Sequence, residues 1–339
     1  MAKGKWHIAK VKKSKVKNQR SKVKGQKSKV SIQASMTNPR HRISALILIV
    51  AAANVAARAQ EAAPPSSPAN RQELPPSNDP KEIVRRSLDL DQRDFQLARN
   101  YTYEQRVEFA ALDKKGARKH HELYTDDITI LYDQPYSRRI RKDDKPLTDK
   151  EEKKEQEKLD RFVAKHKNES DREREQRVAK QEKQRQEGRA FSRDIINAYD
   201  FRMVGEEQVD GRQALIIEAN PRKDFRPTQP HADILPKLRG KLWIDRQDYG
   251  WIKAEVETLD TISWGLFMLR IHKGTHMTFE QTRVNDEIWL PHRILVNASA
   301  RFALFVNGSF VWESDYSDYK KFTSGARILP GVKEVQENK

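Results

Sequence analysis

The sequence predicts an α+β protein whose centre is one large antiparallel sheet, interrupted by a charged helical insertion. Three observations carry this prediction. Apolar and polar side chains alternate through most of the chain after residue 100, as in strands that bury one face. Turn sequences rich in Asp, Asn and Gly separate the alternating stretches. A charged stretch at 148–189 begins instead with a helix-capping pattern.

Residues 239–260 give the clearest strand pattern. Leu242 and Ile244 share one predicted face, and a polar break at 246–250 precedes a second alternating run. In that run we expect one face to carry Ile252, Ala254 and Val256, and the other to carry Trp251, Lys253 and Glu255. Two alternating runs around a turn of Asp, Tyr and Gly predict an antiparallel hairpin.

The net charge of +17 comes almost wholly from residues 1–59. This part holds 15 Lys and Arg and no Asp or Glu, and the rest of the chain holds 51 basic and 49 acidic residues. Residues 1–35 form a basic low-complexity repeat that we expect to be disordered or outside the physiological protein. A nucleic-acid partner would need this repeat to be retained, and we predict no such partner.

Residues 36–59 have the order of a secretory signal peptide. A basic start at Met36 precedes an apolar run at 43–57 and an Ala-Arg-Ala cleavage site. We expect cleavage near Ala59, with Gln60 as the mature N-terminus. The alternative is an uncleaved anchor, although the apolar run is shorter than the roughly 20 residues of a membrane-spanning helix.

A β domain is predicted at 79–324, after a Pro- and Ala-rich linker at 60–78 and before a frayed tail at 325–339. Asp79 and Pro80 form a helix start for a helix that ends near Arg99. We expect its apolar face to contact the sheet through Ile83, Val84, Leu88 and Phe95. About ten strands follow, and strand patterning resumes after the insertion at Ile195.

The insertion at 148–189 has two capping boxes, one from Thr148 to Glu151 and one from Ser170 to Glu173. They predict two helices with a break near Asn168. Three apolar side chains at helical spacing could dock one turn, namely Leu159, Phe162 and Val163. The remaining surface is either a solvated face or an arm that binds a partner.

No pattern in the sequence predicts catalysis, a metal site or a cofactor. The chain has no cysteine, which excludes thiolate chemistry and disulfides. His120 and His121 are adjacent in a predicted strand and point to opposite faces, so they cannot chelate one ion. His272 and His276 have no carboxylate or third histidine near them in sequence. We therefore predict that the protein is not an enzyme.

Residues 262–271 are apolar without alternation. This segment is either packed beneath a helix or forms the apolar rim of a cavity, or a surface that meets a lipid or a partner. Several aromatic side chains could line the same face of the sheet. The candidate cavity residues are Tyr103, Val107, Trp243, Trp251, Trp264, Leu266, Phe267, Met268, Phe279 and Trp312.

Three segments together resemble the LolA-like superfamily of outer-membrane lipoprotein-sorting proteins. They are Gly-Lys-Leu-Trp-Ile-Asp at 240–245, Trp-Ile-Lys-Ala-Glu at 251–255, and a later strand that ends in Leu-Pro at 290–291. The resemblance covers about residues 80–322. It implies an open antiparallel half β-barrel wrapped around helices, with an apolar cavity that holds acyl chains. The charged insertion departs from that pattern.

These observations favour a non-enzymatic periplasmic protein that binds a lipid, a lipoprotein acyl chain or another apolar ligand in a concave sheet. We expect peripheral contact with a membrane or none. The alternative is a periplasmic sensor or scaffold that binds a protein partner through the insertion at 148–189.

Overall fold

One antiparallel sheet carries the fold in this computed structural model, which describes residues 76–132, 134–264, 269–302 and 306–322. Its strands in the described ranges are β1 Tyr101–Leu112, β2 Arg118–Leu131, β3 Gln134–Lys142, β4 Lys145–Pro146, β5 Tyr199–Val209, β6 Arg212–Pro221, β7 Leu238–Asp245, β8 Trp251–Thr258, β9 Ile262–Trp264, β10 Leu269–Ile271, β11 His276–Val284, β12 Ile288–Phe302 and β13 Val306–Lys321. The helices are α1 Pro80–Leu97, α2 Asp149–Lys167 and α3 Asp171–Ala198, with 3-10 turns at Ala98–Asn100 and Ala232–Lys237.

The strand order is β4-β3-β2-β1-β13-β12-β11-β8-β7-β6-β5, and the short β9–β10 hairpin joins the sheet where β10 pairs with β12. The last strand of the chain, β13, lies between β1 and β12 and so joins an N-terminal meander to a C-terminal one. Among the described residues, β4 and β5 are the two ends of this strand order, and β9 is the end of the short branch. The predicted large open antiparallel sheet is therefore confirmed.

Helix α1 begins where the sequence predicts it. The Asp79 side chain accepts a hydrogen bond from the backbone N–H of Lys81 at 3.1 Å, and Pro80 occupies the first turn. Ile83 and Val84 are buried in a cluster with three sheet residues, Leu215, Ile217 and Ile244. We call the side of the sheet that α1 covers the inner face.

The insertion forms the two predicted helices, and both capping boxes are present. Leu159 of α2 is buried against Leu131 and Tyr136, with Phe162 and Val163 packed beside it. Helix α3 is longer than predicted. Strand patterning was expected from Ile195, but α3 continues to Ala198 because Ile195 and Ile196 pack into two core clusters.

The hairpin predicted at residues 239–260 is present as β7 and β8, but its predicted side-chain alternation fails at Trp251. Trp243 pairs with Lys253, whereas the next residue, Ile244, pairs with Trp251, so Ile252 is an extra residue in β8. This bulge turns Trp251 to the inner face. It packs there in the cluster that contains Ile83, rather than beside Lys253.

Candidate ligand-binding site

An apolar surface crosses five strands of the inner face. Cross-strand partners project to the same side of a sheet, so the register defines two rows of side chains. One row runs through Val256, Met277, Val296, Trp312 and Phe109. The second runs through Ala254, Phe279, Ile294, Ser314 and Val107. We call the nine apolar members of these rows the apolar wall.

The apolar wall lies beside α1 on the same face. Ala254 pairs with Leu242, which packs in the cluster beneath α1. Four large side chains of the wall are only partly buried: Val256, Phe279, Ile294 and Val296. Others, including Met277 and Trp312, are buried. A continuous apolar surface that keeps part of its area accessible can take an apolar ligand.

The structure places the predicted cavity residues in different surroundings. Val107, Phe279 and Trp312 belong to the apolar wall. Tyr103 lies near it, with its ring centroid 5.9 Å from that of Tyr316 and 5.4 Å from that of Tyr319. These four residues therefore share one region of the sheet.

Two of the predicted tryptophans lie elsewhere. Trp251 is beneath α1, where its Nε1 donates a hydrogen bond to Asp91 Oδ1 at 3.0 Å. Trp243 is on the opposite, outer face, where its Nε1 donates to Glu207 Oε2 at 2.8 Å. The Nζ atom of Lys253 lies 4.7 Å from the Trp243 ring centroid, so a cation covers this indole.

The remaining candidates surround the β9–β10 hairpin. Trp264 is the last residue of β9, and its side chain is not described. Leu266, Phe267 and Met268 lie outside the described residues. Leu269 is buried and begins β10, which extends the edge of β12 through pairing of Leu269 with Phe302. A cavity rim formed by 262–271 stays a prediction.

A strip of polar side chains adjoins the apolar wall. Gln105 Nε2 donates to Ser314 Oγ at 2.9 Å and to the Tyr316 hydroxyl at 3.2 Å. Gln105 pairs in register with Asp126 of β2, whose Oδ1 accepts a hydrogen bond from Arg139 Nε at 2.9 Å. Side-chain alternation does not predict this strip, because Arg139 lies in the run Ser-Arg-Arg-Ile-Arg-Lys, in which polar residues occupy both faces.

Helix α1 turns two carboxylates toward the sheet. Asp91 Oδ1 also accepts from Gln281 Nε2 at 3.3 Å, and Asp94 Oδ2 accepts from the backbone N–H of Trp289 at 2.9 Å. Burial raises the pKa of both carboxyl groups above the ordinary range. These contacts fix α1 to the sheet at the border of the apolar wall.

The turn after β7 is held by another pair of carboxylates. Asp245 Oδ2 accepts from Arg212 Nε at 2.6 Å, and Asp248 forms an ion pair with Arg283. Burial opposes ionisation of Asp245, but the hydrogen bonds from Arg212 and from two backbone amides outweigh it and lower its pKa. Each Asp forms an ion pair with an Arg, so we assign this cluster a structural role in holding the turn.

The described residues contain no group of three side chains that could hold a metal ion. His120 Nε2 lies 3.1 Å from Glu122, whereas His121 Nε2 lies 3.1 Å from Glu108, on opposite faces of the sheet. No helix in the described ranges is long and apolar enough to cross a membrane.

Solved structures that are similar to this chain include one LolA superfamily protein and one domain named for outer membrane lipoprotein sorting, the class that the sequence pattern resembles. A LolA superfamily protein of Nitrosomonas europaea has 13% identity and a TM-score of 0.28, over 75% of this chain and 96% of that chain. A domain described as a putative outer membrane lipoprotein-sorting protein from Vibrio parahaemolyticus has 11% identity and a TM-score of 0.27, over 72% and 95%. The MucA/MucB complex of Pseudomonas aeruginosa has 10% identity and a TM-score of 0.20, over 73% and 100%. No protein-family model and no curated protein matches the sequence.

Proposed function

We propose that this is a non-enzymatic exported protein that binds a lipid, a lipoprotein acyl chain or another apolar ligand on the inner face of its sheet. The observation that carries the proposal is the apolar wall, in which Val256, Phe279, Ile294 and Val296 keep accessible area beside α1. Apolar ligands gain affinity by covering such area, at about 25 cal/mol for each Å² removed from water. Val107 and Trp312 provide the buried floor of the site.

A binding assay with a neutral apolar fluorophore, N-phenyl-1-naphthylamine, tests this proposal. We expect the wild-type protein to raise the fluorescence of the probe, and Phe279→Asp to weaken binding at least about tenfold, because a carboxylate in the wall must be desolvated. Thr278→Asp is the matched control, since Thr278 is the adjacent residue of β11 and faces outward. Equal loss in both variants, with circular dichroism unchanged, would refute the proposal.

Export is part of the proposed function, and it rests on residues 36–59, which lie outside the described residues. The protein made from Met36 in a Gram-negative host and recovered from the periplasm should have a polypeptide mass that begins at Gln60. Native mass spectrometry of the same sample would show a ligand as added mass. Protein that keeps residues 36–59 and stays with the membrane would contradict cleavage.

A second candidate function is partner binding through the insertion at 148–189. Its support is that most side chains in the first half of α3 are exposed, whereas only a short apolar cluster attaches α2 to the sheet. Replacing 149–187 with a short Gly-Ser linker should abolish cross-linking to a periplasmic partner while binding of the fluorophore persists. Unchanged cross-linking would exclude this function for the insertion.

A further inference from the structure

The polar strip beside the apolar wall contains an arginine that is held in place on two sides. The Arg139 guanidinium lies 3.6 Å from the centroid of the Tyr124 ring, and its Nε donates to Asp126. Asp126 is itself fixed, since its Oδ2 accepts a hydrogen bond from Ser137 Oγ at 2.8 Å. Stacking and a fixed carboxylate together orient the guanidinium, which lowers the entropy cost of binding a ligand.

The outer edge of this guanidinium is available. Its Nη atoms donate no hydrogen bond to a carboxylate in the part of the chain that the structure describes, and 34% of the side-chain area is exposed. Two parallel N–H groups of an arginine match two oxygens of a carboxylate or phosphate. The preferred ligand group is therefore anionic.

The neighbouring carboxylates are already bound to other groups. Asp126 bonds to Ser137 and to Arg139, and Glu155 of α2 accepts the backbone N–H of Arg139 at 3.4 Å and forms an ion pair with Lys158. Lys142 pairs in register with Tyr124 on the same side and forms an ion pair with Glu151 of α2 at 3.5 Å. These partners reduce the repulsion that an incoming anion would meet.

A continuous path leads from Arg139 to the apolar wall. Arg139 pairs with Asp126, Asp126 pairs with Gln105, and Val107 of the wall is two residues from Gln105 on the same face. Neighbouring strands are about 4.8 Å apart, so the guanidinium lies about 10 Å across the sheet from the wall. This separation suits a molecule with a polar end and an apolar chain.

The geometry points to a head-group site at Arg139, Tyr124 and Asp126 that binds the anionic end of an amphiphile whose apolar chain lies on the apolar wall. This inference rests on the proposed function and adds the chemical class of the ligand. It also assigns a role to strands β2 and β3, which contain none of the candidate cavity residues.

Displacement of the neutral fluorophore by dodecyl phosphate and by dodecan-1-ol tests the inference, because the two compounds share a chain and differ in the head group. We expect the wild-type protein to bind the phosphate about tenfold more tightly than the alcohol, as one charge-assisted contact allows. Arg139→Gln should remove this preference and leave binding of the alcohol within about twofold.

The matched control is Arg138→Gln on the same strand, because Arg138 pairs with Asp127 and faces outward. Arg138→Gln should keep the wild-type preference for the phosphate. Arg139→Lys should keep part of this preference, because lysine retains the positive charge but lacks the planar guanidinium group. Equal affinity of the wild-type protein for both compounds, or equal effects of Arg138→Gln and Arg139→Gln, would overturn the head-group site alone. If the wild-type protein bound neither compound, the proposed function would be overturned as well.

Discussion

At the scale of single residues, the turn between β7 and β8 depends on a glycine that the indole of Trp289 covers. A Cβ atom at Gly250 would overlap the Nε1, Cε2 and Cδ1 atoms of that indole. The indole cannot move freely, because its Nε1 donates to both carboxylate oxygens of Asp248, at 3.2 Å and 3.3 Å. The requirement for glycine therefore comes from a close approach of two parts of the chain.

Gly250→Ala should lower the free energy of unfolding by about 2 kcal/mol or more, because the added methyl group must displace a buried indole. Urea unfolding followed by tryptophan fluorescence would measure the change. Gly188→Ala in α3 is the control, since its added Cβ would meet no atom within 4 Å beyond the adjacent backbone of its own helix, and alanine favours helix. The explanation fails if Gly250→Ala is as stable as the wild-type protein.

The Asp91 carboxyl group makes the free energy of unfolding depend on pH. Burial raises its pKa in the native state, so that state binds the proton more tightly than the unfolded chain does. The contribution of Asp91 to stability is most favourable below the unfolded pKa of about 3.9 and declines as pH rises through the raised native pKa. Asp91 therefore contributes less to stability at neutral pH than it does in acid.

Asp91→Asn should raise the free energy of unfolding at pH 7 by about 1 kcal/mol, because the amide oxygen still accepts from Trp251 and Gln281 without a buried charge. The gain should vanish below about pH 4, where the wild-type carboxyl is protonated. Urea unfolding at several pH values would test both points. Asp89→Asn on the exposed side of α1 should change stability by under about 0.5 kcal/mol. A loss of stability at pH 7 in Asp91→Asn would show that the charge is favourable.

The sequence could predict the environment of some residues and not of others. Ile83 and Val84 face the sheet as their helical spacing indicates, because spacing within one helix is a local property. The sequence could not predict that Trp251 lies on the inner face and Trp243 on the outer face. The bulge in β8 that separates them depends on pairing with β7. Arg139 was missed for a related reason. Its role depends on Tyr124 and Asp126, which meet it only through the pairing of β2 with β3.

At the scale of elements, the insertion is attached to the sheet by one small cluster. Leu159 is 3% exposed and contacts Leu131 and Tyr136, whereas most of the α2 surface is charged and exposed. Exposed ion pairs on helices contribute only tenths of a kcal/mol each. Docking of α2 therefore depends mainly on this cluster.

Leu159→Ala should remove about 3 kcal/mol from the docking of α2, as expected for a buried leucine. Hydrogen exchange should become faster in α2 and in β3, and the β5–β8 part of the sheet should change little, because α1 stabilises it independently. Gln156→Ala on the exposed side of α2 should leave exchange unaltered. Uniformly faster exchange across the whole sheet would instead mean that α2 is part of one cooperative core.

The sequence predicts helix starts in this region better than helix ends. Thr148 and Ser170 form their capping boxes as expected, because a capping box is made by residues three apart. The end of α3 at Ala198 depends on Ile195 and Ile196, which pack into two clusters of the sheet and α1. Such a boundary is decided by tertiary contacts, which local patterns do not contain.

At the scale of the whole molecule, β13 holds the sheet together. It pairs with β1 along nearly its full length and with β12 on its other side. Without it, β1 and β12 would each present an unpaired edge, and the N-terminal meander would lose its backbone pairing with the C-terminal strands. Sequence periodicity predicted the strands of both meanders, but it could not predict this pairing across the length of the domain.

Ending the chain after residue 302, which removes β13, should abolish cooperative unfolding and cause aggregation, because two edges become exposed. Ending it after residue 322 should shift the melting temperature by only about 2 °C or less, since residues 325–339 are predicted to be a frayed tail. Thermal unfolding by circular dichroism and light scattering would measure both effects. A cooperative transition in the shorter protein would mean that each meander folds independently.

Because the first strand of the sheet pairs with the last, β1 cannot complete its pairing until nearly the whole domain has been translated. Tyr101 meets Lys321 and Leu112 meets Ser309, so roughly 200 residues must be translated after β1 before its second neighbour exists. At about 5 to 20 residues per second this takes roughly 10 to 40 s. During that interval one side of β1 has no strand beside it, and the nascent protein is open to wrong pairing with other chains. Correct pairing of β1 therefore depends on the unfinished sheet avoiding such contacts until the final strand is made.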